Sequence, residues 1–471
     1  MKPSHLKNLS ANTIQLVINQ VFGLAIFYIL SSWLDKQSFG QLNWVLAILF
    51  TAFNILACGI DQLVIKKIAQ GDDVAIVTGL FVNHVLFSGF IFYIAIGVVW
   101  WVMPHSPIIF QVLMLVGAGK LMIYFATPFK QLASGQERFG VLAKMSAVSN
   151  VVRGVALIVL AFFQQVTLIT AVFVFLAGDG LEFAVTVYLF YKYLRVPLSF
   201  SFQPKPYFAL LKEALPQIGV VLFTSALARF DWIFIGLFLS AVKLAEYSFA
   251  YKAFEISTLP LLAVAPLLLP RFVSVIKERG IFPTHLFSIL KLELVFSVLI
   301  GLVFYLSWSP LVDWFTHGKY GAVNSSVILV LAVCMPLMYF NNFLWSIGFA
   351  QGKLRLIFKV FAVTFLVNVI GDVVLIPLLG NAGAAIAYLA AMLVQAILYM
   401  LTIEKQAALQ VGVNLVICSI CAIISGFIAI HFLSGDITVI LFAAVLYLVF
   451  TILFRQINLK KLNFLKPAIG Q

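Results

Sequence analysis

Apolar stretches of 18 residues or more, with few or no charges, recur along the whole chain between short polar connections. Runs of that length mark helices that span a membrane, since about 20 residues cover about 30 Å of hydrocarbon. The pattern predicts fourteen spans, near 13–34, 42–65, 78–102, 107–128, 140–163, 166–191, 214–239, 245–270, 286–308, 323–349, 356–379, 382–403, 411–433 and 437–455.

Composition agrees. The chain has 471 residues, 63% hydrophobic and 10% charged, where soluble domains run near 45–50% and about 25%. A water-soluble fold has no interior large enough for that apolar surface, so lipid is the expected solvent. The net charge of +13 does not mark a nucleic-acid partner, because the basic residues do not gather on one element. They recur on alternate connections. Of 30 Lys and Arg, 23 fall on the side that includes the N-terminus. Three (Lys36, Lys243, Lys319) fall on the other, and four (Lys120, Arg153, Arg229, Lys252) lie inside spans. Such asymmetry places both termini in the cytoplasm of a multi-pass protein of a bacterial inner membrane. Lys2 and Lys7 precede the first span, and Trp33, Asp35 and Lys36 follow it without a small-residue cleavage site, which reads as a retained helix. Cys58, Cys334, Cys418 and Cys421 all lie in apolar stretches, so C-x-x-C at 418–421 reads as packing thiols.

No connection could hold a soluble domain. The longest cytoplasmic one, 192–213, carries Pro197, Pro204, Pro206 and the amphipathic run YFALLKEALP, and reads as a linker between lobes. The largest outer loop is 309–322. An internal repeat points the same way. ASGQER from Ala133 matches AQGKLR from Ala350, and NVVRGVALIVL from Asn150 matches NVIGDVVLIPL from Asn368, at offsets of 217 and 218. A weaker match pairs Asn12 with Gln217 and Asn19 with Thr224 at 205. The expected fold is all-α: a lobe at 1–191, a linker at 192–213, a parallel-related lobe at 214–404, and two extra helices with a cytoplasmic tail at 405–471. Parallel repeats place substrate sites between lobes.

Ionisable groups deep in hydrocarbon cost a few kcal/mol each on insertion scales, so they must pair or face water. The first lobe has Lys120, Arg153, Asp179 and Glu182, the acids three residues apart on one helix face. They form either an internal ion network or a proton or cation site. The second has Arg229, Asp231, Lys252, Glu255 and Asp372. Gln217, Thr224 and Asp231 recur every seven residues and share a face; Arg229 points nearly the opposite way. The repeat sets this stripe against Asn12 and Asn19 of span one, with Gln15 beside them. Both stripes either line one watery cavity or glue neighbouring helices. No nucleotide loop, zinc spacing or nucleophile elbow occurs, so no cofactor, no metal and no catalytic residue is expected.

The stretches WLDKQSFGQLNWV, LLKEALPQIGVVLFTSALARFDWIFIGLFLSAVKLAEYSFAYKAFE, APLLLPRF, GKYGAV and IPLLGNAGAAIAY resemble the polysaccharide-transporter branch of the MOP exporter superfamily, which includes Wzx-type flippases. The resemblance covers spans one to twelve. It implies two six-helix lobes flanking a cavity lined by spans one, two, seven and eight. It implies undecaprenyl-pyrophosphate-linked sugar units as cargo, moved to the periplasmic leaflet for O-antigen, capsule or exopolysaccharide synthesis. Membrane lipids, a polysaccharide polymerase and a chain-length regulator are the implied partners, with H⁺ or Na⁺ coupling. The family's cavity is often cationic, and here Arg229 and Lys252 are the candidates in spans seven and eight. A cation-coupled multidrug exporter of the MATE branch is the competing reading, and an integral membrane enzyme of lipid-linked sugar assembly a further one.

Overall fold

The computed structural model describes residues 3–102, 107–197, 204–259, 284–402 and 405–456. On the helices, the side chains of 3–14, 102, 107, 215–228, 284–290, 350 and 405–410 lie outside the described set. Every long element among the described residues is a helix, and there is no strand. In order they are α1 (Pro3–Trp33), α2 (Lys36–Leu56), α3 (Ile60–Gln70), α4 (Val74–Val102), α5 (Pro107–Gly135), α6 (Phe139–Phe162), α7 (Leu168–Leu189), α8 (Pro204–Phe238), α9 (Ala241–Ser257), α10 (Thr284–Thr316), α11 (Ser325–Ala350), α12 (Leu354–Leu379), α13 (Asn381–Thr402), α14 (Lys405–Phe432) and α15 (Asp436–Leu453). Twelve are long and apolar enough to cross a bilayer: α1, α2, α4–α7 and α10–α15. Of the two further spans of the expected fourteen, span seven falls on α8, where the side chains of 215–228 are undescribed, and span eight begins on α9 and continues into undescribed residues.

The chain divides into two compact units, Met1–Ala245 and Glu246–Gln471. In the first, α1 packs on α6, α6 and α5 pack on α7, α4 lies on α5, and α2 lies on α5 and α8. In the second, α12 and α11 pack on α13, α10 lies on α11, and α14 and α15 pack on α10 and on each other. Three pairings therefore recur: α6–α7 as α12–α13, α5–α7 as α11–α13, and α4–α5 as α10–α11. Helix boundaries repeat too. The α1–α2 junction, Trp33 to Lys36, recurs at an offset of 205 as the α8–α9 junction, Phe238 to Ala241. Asp35 and Ser240 occupy the same position in the two junctions. Asp35 accepts from the Ser38 N–H at 2.8 Å, and Ser240 Oγ from the Lys243 N–H at 3.2 Å. Each thus satisfies one orphan donor of the following helix. The bond from Ser38 also holds the Asp35 carboxyl below its usual pKa.

The hairpins at ASGQER and AQGKLR share one turn as well. Glu137 (φ 56) and Gly352 (φ 70) adopt left-handed backbone, and Arg138 N and Lys353 N reach back to the carbonyls of Ala133 and Gly348. This turn repeats at 215, so the structural register of the repeat differs by two residues from the 217 of the sequence match. IPLLGNAGAAIAY is a close-packed hairpin. Ala384, Ala387 and Ala391 are fully buried, and at Gly371 a Cβ would lie 2.8 Å from that of Ala387. In lipid, such small residues let backbones approach and gain dispersion contacts.

Span two is shorter than expected. The helix stops at Leu56, because Cys58 (φ 50) and Gly59 (φ 66) turn the chain through left-handed backbone. The separate helix α3 buries Ile60, Leu63, Val64 and Ile68 and carries Lys66 and Lys67 outward. The amphipathic run of the linker forms the first turns of α8. Tyr207, Leu210 and Ala214 bury one face of it among Ile60, Val64, Phe81 and Phe190. Lys67 of α3 meets Glu213 at 2.8 Å, and that carboxylate raises the lysine pKa. Cys418 and Cys421 are free thiols packed with Val295, Val298 and Tyr447.

Candidate functional site

The densest polar cluster lies where α5, α6 and α7 meet. Helix α7 sends Asp179 and Glu182 inward, only 1% and 4% exposed. Arg153 of α6 pairs with Asp179 Oδ1, and Lys120 of α5 lies 3.2 Å from Oδ2. Glu182 takes Lys130 of α5 at 2.5 Å, together with the backbone N–H of Ser149 at 2.8 Å. Ser149 Oγ donates to Asp179 Oδ1 at 2.8 Å. The Phe175 ring faces both Arg153, at 4.4 Å, and Lys120, at 5.8 Å. Glycine makes the room: a Cβ on Gly178 would lie 2.8 Å from Arg153 Cγ, and one on Gly119 3.0 Å from Asp179 Oδ2.

The structure brings Lys120, Arg153, Asp179 and Glu182 into one cluster and adds two members, Lys130 and Ser149. Ser149 lies one helical turn before Arg153, a spacing that could have revealed it. Lys130 lies just beyond the expected span 107–128. In fact α5 continues through Pro128 to Gly135, as helices in lipid tolerate when neighbours satisfy the freed carbonyl.

A second constellation lies between α2 and α8. The Arg229 guanidinium stacks 4.4 Å from the Trp232 ring and 5.9 Å from the ring of Phe50 on α2. Asp231 is buried on another side of α8, and its Oδ1 accepts from the Trp232 N–H at 2.8 Å. The opposed directions of Arg229 and Asp231 agree with their helical phase. Nearby, Trp44 Nε1 donates to the Ile233 carbonyl at 3.2 Å. A Cβ on Gly236 of α8 would overlap the Trp44 indole of α2, and one on Gly40 of α2 the carbonyl of Ala241, the first residue of α9.

Other candidates separate. Asn19 Oδ1 accepts from Asn150 Nδ2 at 3.1 Å, joining α1 to α6. Among the described residues, Gln15 Oε1 is buried without a hydrogen-bond partner. The side chains of Asn12, Gln217 and Thr224 lie outside the described residues. Lys252 and Glu255 pair within α9 at 2.7 Å. Asp372 is fully buried on α12 in a row with Thr364 and Asn368. Asn341 bridges α11 and α13 through the Met392 carbonyl, at 2.9 Å, and Gln395 Oε1, at 3.2 Å. His84 is a helix contact, bonded to the Leu56 carbonyl at 2.7 Å and to the Tyr207 hydroxyl at 3.0 Å.

Comparison with solved structures gives the fold. The lipid II flippase MurJ, in its inward closed conformation, matches with a TM-score of 0.73 at 14% identity, covering 94% of this chain and 98% of MurJ. An inward-facing multidrug resistance MATE family transporter of the MOP superfamily matches at 0.65 and 13% identity, over 86% of this chain and 98% of that one. The Vibrio cholerae MATE transporter VcmN, in its bent form, matches at 0.54 and 13% identity, over 87% and 98%. No curated protein matches the sequence. The all-helical fold is therefore one shared with MurJ and the MATE transporters. The chain belongs to the polysaccharide biosynthesis protein family, whose model matches residues 5–275.

Proposed function

We propose that the chain flips undecaprenyl-pyrophosphate-linked oligosaccharide units from the cytoplasmic to the outer leaflet of the inner membrane, supplying surface polysaccharide synthesis. The observation that carries this reading is Arg229, stacked on Trp232 and facing Phe50 of α2. Stacking fixes the plane of a guanidinium, whose N–H groups donate along its edge with a geometry suited to phosphate oxygens. A pyrophosphate leaving interfacial water needs such charge-assisted donors. Lys252 would supply a further cation. In this reading residues 1–191 and 214–404 act as lobes in alternating access, and the close packing of α2 on α8 at Gly236 and on the start of α9 at Gly40 parts in one state. Asp231 and Asp372 are the buried acids through which an H⁺ or Na⁺ gradient would act.

Capture of an organic cation would instead call for an open acid. Asp179 and Glu182 are each paired with a cation, which disfavours the multidrug reading for that cluster. A membrane enzyme would need a substantial outer segment, but α10 runs to Thr316 and the residues that follow are tied down. Asp313 accepts from the Gly321 and Ala322 N–H groups at 2.7 and 2.8 Å. In cells the test is depletion: lipid-linked sugar units should accumulate in the cytoplasmic leaflet, and a leaflet distribution unaltered by depletion would refute the reading.

The orientation makes a separate prediction. A reporter fused after Gln471 should be active only in the cytoplasm, and one inserted at 317–320 only outside. The motive is the lopsided distribution of Lys and Arg, and the opposite pair of signals would reject it.

A further inference from the structure

The end of α7 carries exposed tyrosines and cations that the transport reading does not use. After Leu189 the helix widens into a π-helical turn, Phe190–Leu194. Phe190 and Leu194 turn into the core, while Tyr188, Tyr191, Lys192, Tyr193 and Arg195 are exposed, Tyr188 at 58% and Tyr191 at 66%. Each cation has a hydrogen-bond partner. Lys192 Nζ donates to Tyr188 Oη at 3.1 Å and lies 5.3 and 5.5 Å from the Tyr188 and Tyr193 rings. Arg195, in left-handed backbone (φ 49), donates from Nε to the Lys192 carbonyl at 3.2 Å. Arg138 reaches over from the α5–α6 turn and donates from Nη1 to the Tyr193 carbonyl at 2.8 Å. The carboxylate nearest in sequence is Glu137. Among the described residues no ion pair engages any of the three cations.

We propose that this surface binds the phosphate headgroup of an anionic phospholipid. Exposed tyrosines at the end of a spanning helix mark the depth of the membrane interface. Three cations at that depth meet phosphodiesters rather than water alone. The two arginines offer forked donors, Lys192 a point charge, and Tyr188 Oη can donate its own proton to a phosphate oxygen while accepting from Lys192. Two separate elements converge on the site, so a bound lipid would brace the α5–α6 turn against the end of α7. The proposal requires only that α7 spans a membrane, and is independent of the cargo.

The test is native mass spectrometry of the purified full chain, given equal amounts of phosphatidylglycerol and phosphatidylcholine with the same acyl chains. The wild type should retain phosphatidylglycerol preferentially. R138A/K192A/R195A should lose that preference, by about fivefold per cation removed. The charge-conserving R138K/K192R/R195K should keep it, which separates lost charge from damaged folding. K353A/R355A/K359A, at the corresponding turn of the second unit, should also keep it. Equal retention of both lipids by the wild type would overturn the proposal. So would an unchanged preference in the first triple variant, or an equal loss in the control, which would reveal diffuse net charge instead of a site.

Discussion

Asp179→Asn should sharply lower the amount of folded, membrane-inserted protein. Arg153 and Lys120 both pair with the Asp179 carboxylate, one to each oxygen. Neutralising it leaves two cations facing each other in a low-dielectric site. Removing one partner of a buried pair costs about 3–5 kcal/mol, a large share of the roughly 5–15 kcal/mol by which proteins are stable. Asp179→Asn combined with Arg153→Gln returns the cluster to its original net charge and should recover part of the loss, a coupling of about 0.5–3 kcal/mol in a double-mutant cycle. The measurement is monodisperse yield and thermal unfolding in detergent for the two single variants and the double. If Asp179→Asn instead expresses normally while transport loses its dependence on an ion gradient, the cluster is a coupling site and not a structural one.

Arg229→Ala should reduce transport at least tenfold while leaving insertion and abundance intact. The stack on Trp232 and Phe50 contributes about 0.5–2 kcal/mol, and abundance in the membrane, measured beside transport, separates a lost substrate contact from a lost fold. A charge-assisted contact to phosphate is worth about 1.5–3 kcal/mol, which sets the scale of the transport defect. Arg229→Lys should restore only part, since it keeps the charge and loses the planar fork. Lys252→Ala should give a smaller defect, because Glu255 already occupies its ammonium at 2.7 Å. Full activity of Arg229→Ala at normal abundance would remove Arg229 from the substrate path.

Much of this architecture is legible without coordinates, for physical reasons that differ between features. Apolar run length fixes the spans, because lipid sets one thickness for every helix. The repeat is legible at Asn12 and Asn19 because the α1–α2 and α8–α9 junctions share their length and their capping position, so the 205 offset holds residue by residue there. It is less legible at ASGQER, where the turn geometry follows 215 and the letters follow 217. Sequence identity tracks residue type, whereas the turn is fixed by which residue takes left-handed backbone. The break at Cys58–Gly59 and the continuation of α5 through Pro128 both depart from the hydropathy pattern. Hydropathy does not distinguish a helix that ends from one that bends, and Pro breaks fewer helices in lipid than in water. The ion cluster was half visible: charges inside spans announce themselves, but Lys130 does not when its span is cut short, and Ser149 is one serine among many. The Trp232–Arg229–Phe50 stack was hidden, because it depends on α2 and α8 lying together.

The central claim is transport of a lipid-linked sugar, and its most direct measurement uses the purified chain in liposomes. Undecaprenyl-pyrophosphate-linked oligosaccharide is placed in one leaflet, and a sugar-binding probe reports its appearance in the other. The account predicts transfer that requires the chain and falls with Arg229→Ala. Folded protein that leaves the lipid-linked sugar in its starting leaflet, while moving organic cations down an ion gradient, would contradict it.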